Sequence, residues 1–102
     1  MIRWMRTARI NDGKFMLAMG WSKEMSAYAE KKFGINKLNV YVDAFGEMGL
    51  VRWSCEFTDL AALDKAQTAL MMDQDYWARI SQAYEQGLFV PNTTNDVVLR
   101  EI

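Results

Sequence analysis

The chain has 102 residues, of which 51% are hydrophobic, 13% aromatic and 25% charged, and its net charge is −1. That length makes one domain, residues 1–102, able to bury roughly 60–70% of the surface its unfolded chain exposes, and the balance of residues is globular and not disordered. The mixed, near-zero charge excludes the clustered basic excess that nucleic acid or an anionic membrane surface requires, so neither is expected as a partner.

A single cysteine, Cys55, rules out an intramolecular disulfide, and the lack of any histidine removes the commonest ligand of zinc and haem. No metal and no cofactor is expected. The opening "MIRWMRTARI" interleaves three arginines with apolar residues, unlike a signal peptide. No window approaches the ~18 apolar residues of a membrane span. A cytoplasmic protein is the expectation.

In chain order, residues Ile2 to Ile10 alternate as a strand does, and "NDGK" offers Asp12 as the cap of a helix starting near Gly13. Along that helix Ala18, Met19, Ser22, Ser26, Ala29 and Phe33 form one stripe. Leu17, Trp21, Met25 and Tyr28 widen it, and Gly34 is the stop. Two strands follow, "KLNVYVDAF" and "GLVRWSCEF", around a short loop at Gly46, Glu47 and Met48. Thr58 is expected to cap the next helix with Asp59 in its first turn, and Leu60, Leu63, Ala66 and Leu70 are its buried stripe.

Within "LMMDQDYWARI" the helical run is expected to break, Asp73 capping a new helix with Asp75 in its first turn and Trp77, Ile80 and Tyr84 facing inward. A cap and a dipole-matched acid explain both carboxylates without a metal site. The loop "PNTTN" leads to a last strand, Asp96 to Ile102. Strand, helix, strand, strand, broken helix, strand is an α+β order whose favoured solution is the ferredoxin-like sandwich: a four-stranded antiparallel sheet, first and third strands central, helices on one face.

The strand alternation then assigns faces. Ile2, Trp4, Arg6, Ala8 and Ile10, with Leu38, Val40, Val42 and Ala44 and with Val51, Trp53, Cys55 and Phe57, fall under the helices. Arg3, Met5, Thr7, Arg9, Tyr41, Asp43, Arg52, Ser54 and Glu56 fall on the other face. Arg6 is the one charge on an apolar face, which leaves two readings: an anion anchor at the floor of a pocket lined by Trp21, Trp53, Cys55 and Trp77, or an arginine paired with an acid of its own chain. Cys55, with no histidine to lower its pKa, reads as a small buried hydrophobe and not a nucleophile.

Three stretches carry a resemblance: Gly13 and Lys14 opening the first helix, the aromatic-rich strand running into an acidic helix start ("WSCEFTDLAALDKA", 53–66), and an acid followed by aromatics at the helix break ("DQDYW", 73–77). Over nearly its whole length the chain resembles the dimeric α+β barrel superfamily, and within it NIPSNAP-like and antibiotic-biosynthesis-monooxygenase-like domains. The proline that NIPSNAP-like domains often carry after the acid is Gln74 here.

The resemblance implies a homodimer whose two sheets meet face to face, and a small-molecule pocket between sheet and helices in each subunit. Arg6, Trp21, Tyr41, Trp53, Cys55 and Trp77 are the candidate ligand-binding residues. Two functional classes follow. One is a non-catalytic dimeric module that binds a small apolar or aromatic anionic metabolite. The other is a cofactor-independent monooxygenase acting on a small aromatic or polyketide-like substrate.

Overall fold

Alternating apolar and polar side chains along Ile2–Arg9 (β1) and Leu50–Phe57 (β3) give each strand one face to bury, and in the computed structural model, which describes all 102 residues, these two strands pair antiparallel at the centre of the sheet. The edges are β2 (Asn39–Tyr41), on β3, and β4 (Asn95–Arg100), on β1, so the strand order is β2-β3-β1-β4. Helices α1 (Phe15–Phe33), α2 (Leu60–Met71) and α3 (Gln74–Glu85) cover one face only. This is the expected α+β ferredoxin-like arrangement, second helix broken in two. No helix is long and apolar enough to cross a membrane.

The core lies where α1 and the segment after α3 press on the central strands: Ala8, Ala18, Val51, Leu88 and Phe89 are buried together, with Trp53 and Ala83 beside them. Small residues on α1 let the helix approach the sheet. Asn11 fastens this end, its amide donating to the carbonyls of Gly87 at 2.9 Å and Phe89 at 3.1 Å.

Several local expectations shift by a residue or two. Asp12 does not cap α1: the chain turns at 11–14, with Lys14 N–H donating to Asn11 O at 3.1 Å, and the helix begins at Phe15 without a side-chain cap. Asp59, not Thr58, caps α2, because a capping oxygen must reach the amide three residues on, and Asp59 accepts from Ala62 N at 2.8 Å. The strand expected over 37–45 keeps only Asn39–Tyr41, since Asp43 leaves the ladder to accept from Arg52 Nε at 2.8 Å. Gly46 and Gly49, with φ of 114° and 83°, then carry the chain through bends that side chains rarely tolerate.

Asp73 caps α3 as expected, accepting from Tyr76 N at 2.9 Å, and Asp75 sits in the first turn. The carboxylate does more than cap. It pairs with Lys32 Nζ at 2.6 Å and accepts from the Tyr28 hydroxyl, tying α1 to the corner between α2 and α3. Bonds from Lys32 and Tyr28 hold its pKa below the usual carboxylate range. Asp73→Ala is therefore expected to lower the melting temperature by about 4–8 °C or more. Asp73→Asn keeps a capping oxygen but loses the Lys32 pair, so its melting temperature should fall between the two.

The inward stripe of α3 is Tyr76 and Ala83, with Ile80 partly covered; Trp77 and Tyr84, expected inside, are exposed. The reason lies at the corner. The Trp77 indole N–H donates to Met71 O at 2.8 Å, satisfying a carbonyl at the end of α2 and drawing the ring to the outer surface, where it is 47% exposed.

Candidate functional site

Between the sheet and α2 the packing leaves a half-open cavity of about 90 Å³. Fourteen of its 16 lining residues are hydrophobic, so it favours an apolar occupant over water. Trp4, Trp53 and Cys55 come from the sheet, Trp21 and Met25 from α1, Leu63, Gln67 and Leu70 from α2, and Tyr76 and Ile80 from α3. Three aromatics shape the wall beside the core: Trp21 meets Trp53 edge-on at 6.4 Å, and Phe89 stands 5.3 Å from Trp21 and 5.9 Å from Trp53. The Trp21 indole N–H donates to Arg79 O at 3.3 Å, which fixes that ring.

The structure brings four of the six sequence candidates together here, Arg6, Trp21, Trp53 and Cys55. The other two lie elsewhere. Tyr41 is on the open face of the sheet, opposite Arg52, and Trp77 is on the outer side of α3.

Arg6 has its own acid. In the register of β1 with β4 it stands opposite Asp96, and the two form a two-pronged pair, Nε to Oδ1 at 2.7 Å and Nη2 to Oδ2 at 2.9 Å. The Trp4 indole N–H also donates to Oδ2, at 3.2 Å, and Arg6 Nη1 donates to the Tyr76 hydroxyl at 3.2 Å. Burial alone would lower the Arg6 pKa, but the bonds to Asp96 and Tyr76 raise it overall, so it stays charged. Burial likewise works against the Asp96 charge, and Arg6 and Trp4 outweigh it, holding this carboxyl below its ordinary pKa. The anion-anchor reading of Arg6 thus meets a carboxylate already in place. For Cys55, burial pushes the thiol pKa up, which keeps it protonated and unreactive at neutral pH.

The residues that sequence reasoning left out of the site are Trp4, Gln67, Tyr76 and Asp96. Tyr76 was hidden by a one-residue error in the helical phase. Asp96 could be found only by knowing the register of two strands at opposite ends of the chain.

The open face of the sheet is polar but internally paired. Arg3 donates to Ser54 Oγ at 2.9 Å and pairs with Glu56, Arg52 pairs with Asp43 and reaches Thr7 Oγ1 at 3.3 Å, and Arg9 pairs with Glu47. Among these pairs stand exposed apolar side chains, Tyr41, Val97 and Leu99.

Asp43, Asp73 and Asp96 all have folded pKa values below normal. Their stabilisation is present above the unfolded carboxylate pKa of about 4 and is lost as pH falls through the lower folded values. With no histidine, stability is expected to be flat from about pH 5.5 to 8 and to fall below about pH 4. Urea midpoints measured from pH 2 to 8 check this, and a slope near pH 6.5 would contradict it.

Compared with known proteins, no protein-family model matches the sequence, and no curated protein matches it. Solved structures do match. A NIPSNAP family protein from Agrobacterium tumefaciens superposes with a TM-score of 0.79 at 19% identity, over 99% of this chain and 92% of that one. An uncharacterized NIPSNAP domain protein from Burkholderia xenovorans gives 0.79 at 16% identity, over 100% and 95%. An antibiotic biosynthesis monooxygenase gives 0.71 at 13% identity, over 100% and 99%. The chain has the fold of these proteins from end to end, as the resemblance in its sequence implied.

Proposed function

We propose that the chain is a small-molecule-binding module of NIPSNAP-like fold that holds a small apolar or aromatic ligand between its sheet and helices. The observation that carries this reading is the cavity: it is apolar, half-open and walled by Trp4, Trp21 and Trp53, with Arg6 and Gln67 the two lining residues that are not hydrophobic. Arg6, neutralised by Asp96, gives an anionic group little to gain, so the preferred ligand is neutral.

Trp21 and Trp53 report on occupancy. Titration with single-ring aromatics is expected to change their fluorescence, and Ala66→Phe, which fills the space from α2, should abolish that change while circular dichroism stays native. A response unaltered in Ala66→Phe would place the binding elsewhere.

The working unit in this reading is a homodimer formed through the open sheet face, because a four-stranded sheet covered on one side leaves Tyr41, Val97 and Leu99 in water. Sedimentation at micromolar concentration is expected to give twice the chain mass of 11.8 kDa. A monomer there would remove the dimer from the proposal. The enzymatic alternative, a cofactor-independent monooxygenase on a small aromatic, draws on the fold shared with the antibiotic biosynthesis monooxygenase. Oxygen consumption on adding a bound aromatic phenol would favour it over a pure binding role.

A further inference from the structure

The Tyr76 hydroxyl has a proton without a protein acceptor. Tyr76 lines the cavity and is 7% exposed, and its oxygen accepts from Arg6 Nη1 at 3.2 Å. A guanidinium only donates, so Arg6 cannot take the phenolic proton in return. Asp96, the nearest carboxylate in this network, is engaged by Arg6 through both oxygens and by Trp4 through Oδ2. A bond received from a cation polarises the phenol and strengthens the O–H as a donor.

We propose that Tyr76 is the recognition donor of the cavity, and that the ligand class is a neutral aromatic carrying one carbonyl-type acceptor oxygen, such as an aryl ketone. This rests on the reading of the cavity as a small-molecule site. Asp96 acts as a positioning residue: it locks Arg6, which in turn fixes the oxygen of Tyr76 and leaves its proton for the ligand. A carboxylate ligand is disfavoured, because it would lose its water in an apolar space whose only cation already has a counter-ion. The rival polar group is Gln67, on the α2 wall of the same cavity.

Three ligands of nearly one shape separate these possibilities: ethylbenzene, acetophenone and benzoate. Their affinities are read from tryptophan fluorescence in the parent, in Tyr76→Phe and in Gln67→Leu. The parent is expected to bind acetophenone about three- to tenfold more tightly than ethylbenzene, the worth of one neutral hydrogen bond. Benzoate should bind most weakly. Tyr76→Phe should bring acetophenone down to the level of ethylbenzene and leave ethylbenzene unchanged, whereas Gln67→Leu should keep the preference.

If ethylbenzene binds and acetophenone gains nothing, the inference falls and the cavity reading stands. If none of the three binds, both fall. A preference that survives Tyr76→Phe, or vanishes in Gln67→Leu, moves recognition to Gln67 and overturns the role given to Tyr76. Tightest binding of benzoate overturns the neutral ligand class. Should Tyr76→Phe not fold, Gln67→Leu alone decides, through whether the acetophenone preference is kept or lost.

Discussion

Trp53→Ala is expected to lower the unfolding free energy by about 3–5 kcal/mol, the usual cost of emptying a large aromatic from a core. Trp53 lies on the central strand β3 opposite Arg6, 8% exposed, and its ring touches both worlds of this fold. One edge meets Trp21 and Phe89 at the packed end, and the rest forms a wall of the cavity. Removing it joins a void to an existing one, so the neighbours have little to collapse onto. For a domain whose whole stability is about 5–15 kcal/mol, such a loss takes roughly a third to a half of it in the middle of that range. Urea unfolding monitored by far-ultraviolet circular dichroism measures the change, and Trp53→Phe should recover at least half of it. A loss under 1 kcal/mol for Trp53→Ala would mean that the wall is not continuous with the core.

The second large effect is at the Arg6–Asp96 pair. Asp96→Ala leaves a partly buried guanidinium without its counter-ion, and the side chains of both residues are about a third exposed, 28% and 33%, so the cost is set near about 1–3 kcal/mol and below that of a fully buried pair. Two further results identify the cause. The double variant Arg6→Met with Asp96→Val should regain part of the loss, because it leaves no charge unpaired, although the Trp4 indole N–H and the Tyr76 hydroxyl lose their partners. Added benzoate should raise the melting temperature of Asp96→Ala and leave that of the parent unmoved, since only in the variant is the guanidinium free to take a carboxylate. Equal stabilisation of both proteins by benzoate would show that Arg6 holds anions despite Asp96.

These two sites also show how far the sequence could be read. The faces of β1 and β3 followed directly from alternation, because a period of two on a half-buried strand leaves one choice, and Trp53, Cys55 and Arg6 were placed under the helices on that ground alone. The break at Asp73 was legible for a similar reason: a capping acid and a second acid in the first turn are local chemistry.

What could not be read was set by distance along the chain or by competition between bonds. Asp96 is 90 residues from Arg6, and nothing local announces which acid an arginine will meet across a sheet. Trp77 had the apolar character for the interior, but its indole N–H was claimed by the Met71 carbonyl, and Tyr76 took the inward position instead. Tyr41 alternates onto the open face opposite Arg52, away from the cavity. The cavity itself is lined from the sheet and all three helices, and such a convergence is a property of tertiary packing that no periodicity encodes.

The unequal edges of the sheet bear on how this chain avoids polymerising. β4 offers six residues, all exposed and including Val97, Val98 and Leu99, whereas β2 offers three before Asp43 pulls the backbone away. Fibre growth needs a template on both sides of every subunit, so that each molecule added presents a fresh edge to the next. A three-residue edge is a poor template, and a molecule added through β4 would bring β2 to the growing end. Arg100, at the end of β4, adds a charge to the longer edge. The turn held by Asp43 and Arg52 therefore acts as a chain terminator, making edge-on accretion self-limiting even where the hydrophobic side chains of β4 would favour a first encounter.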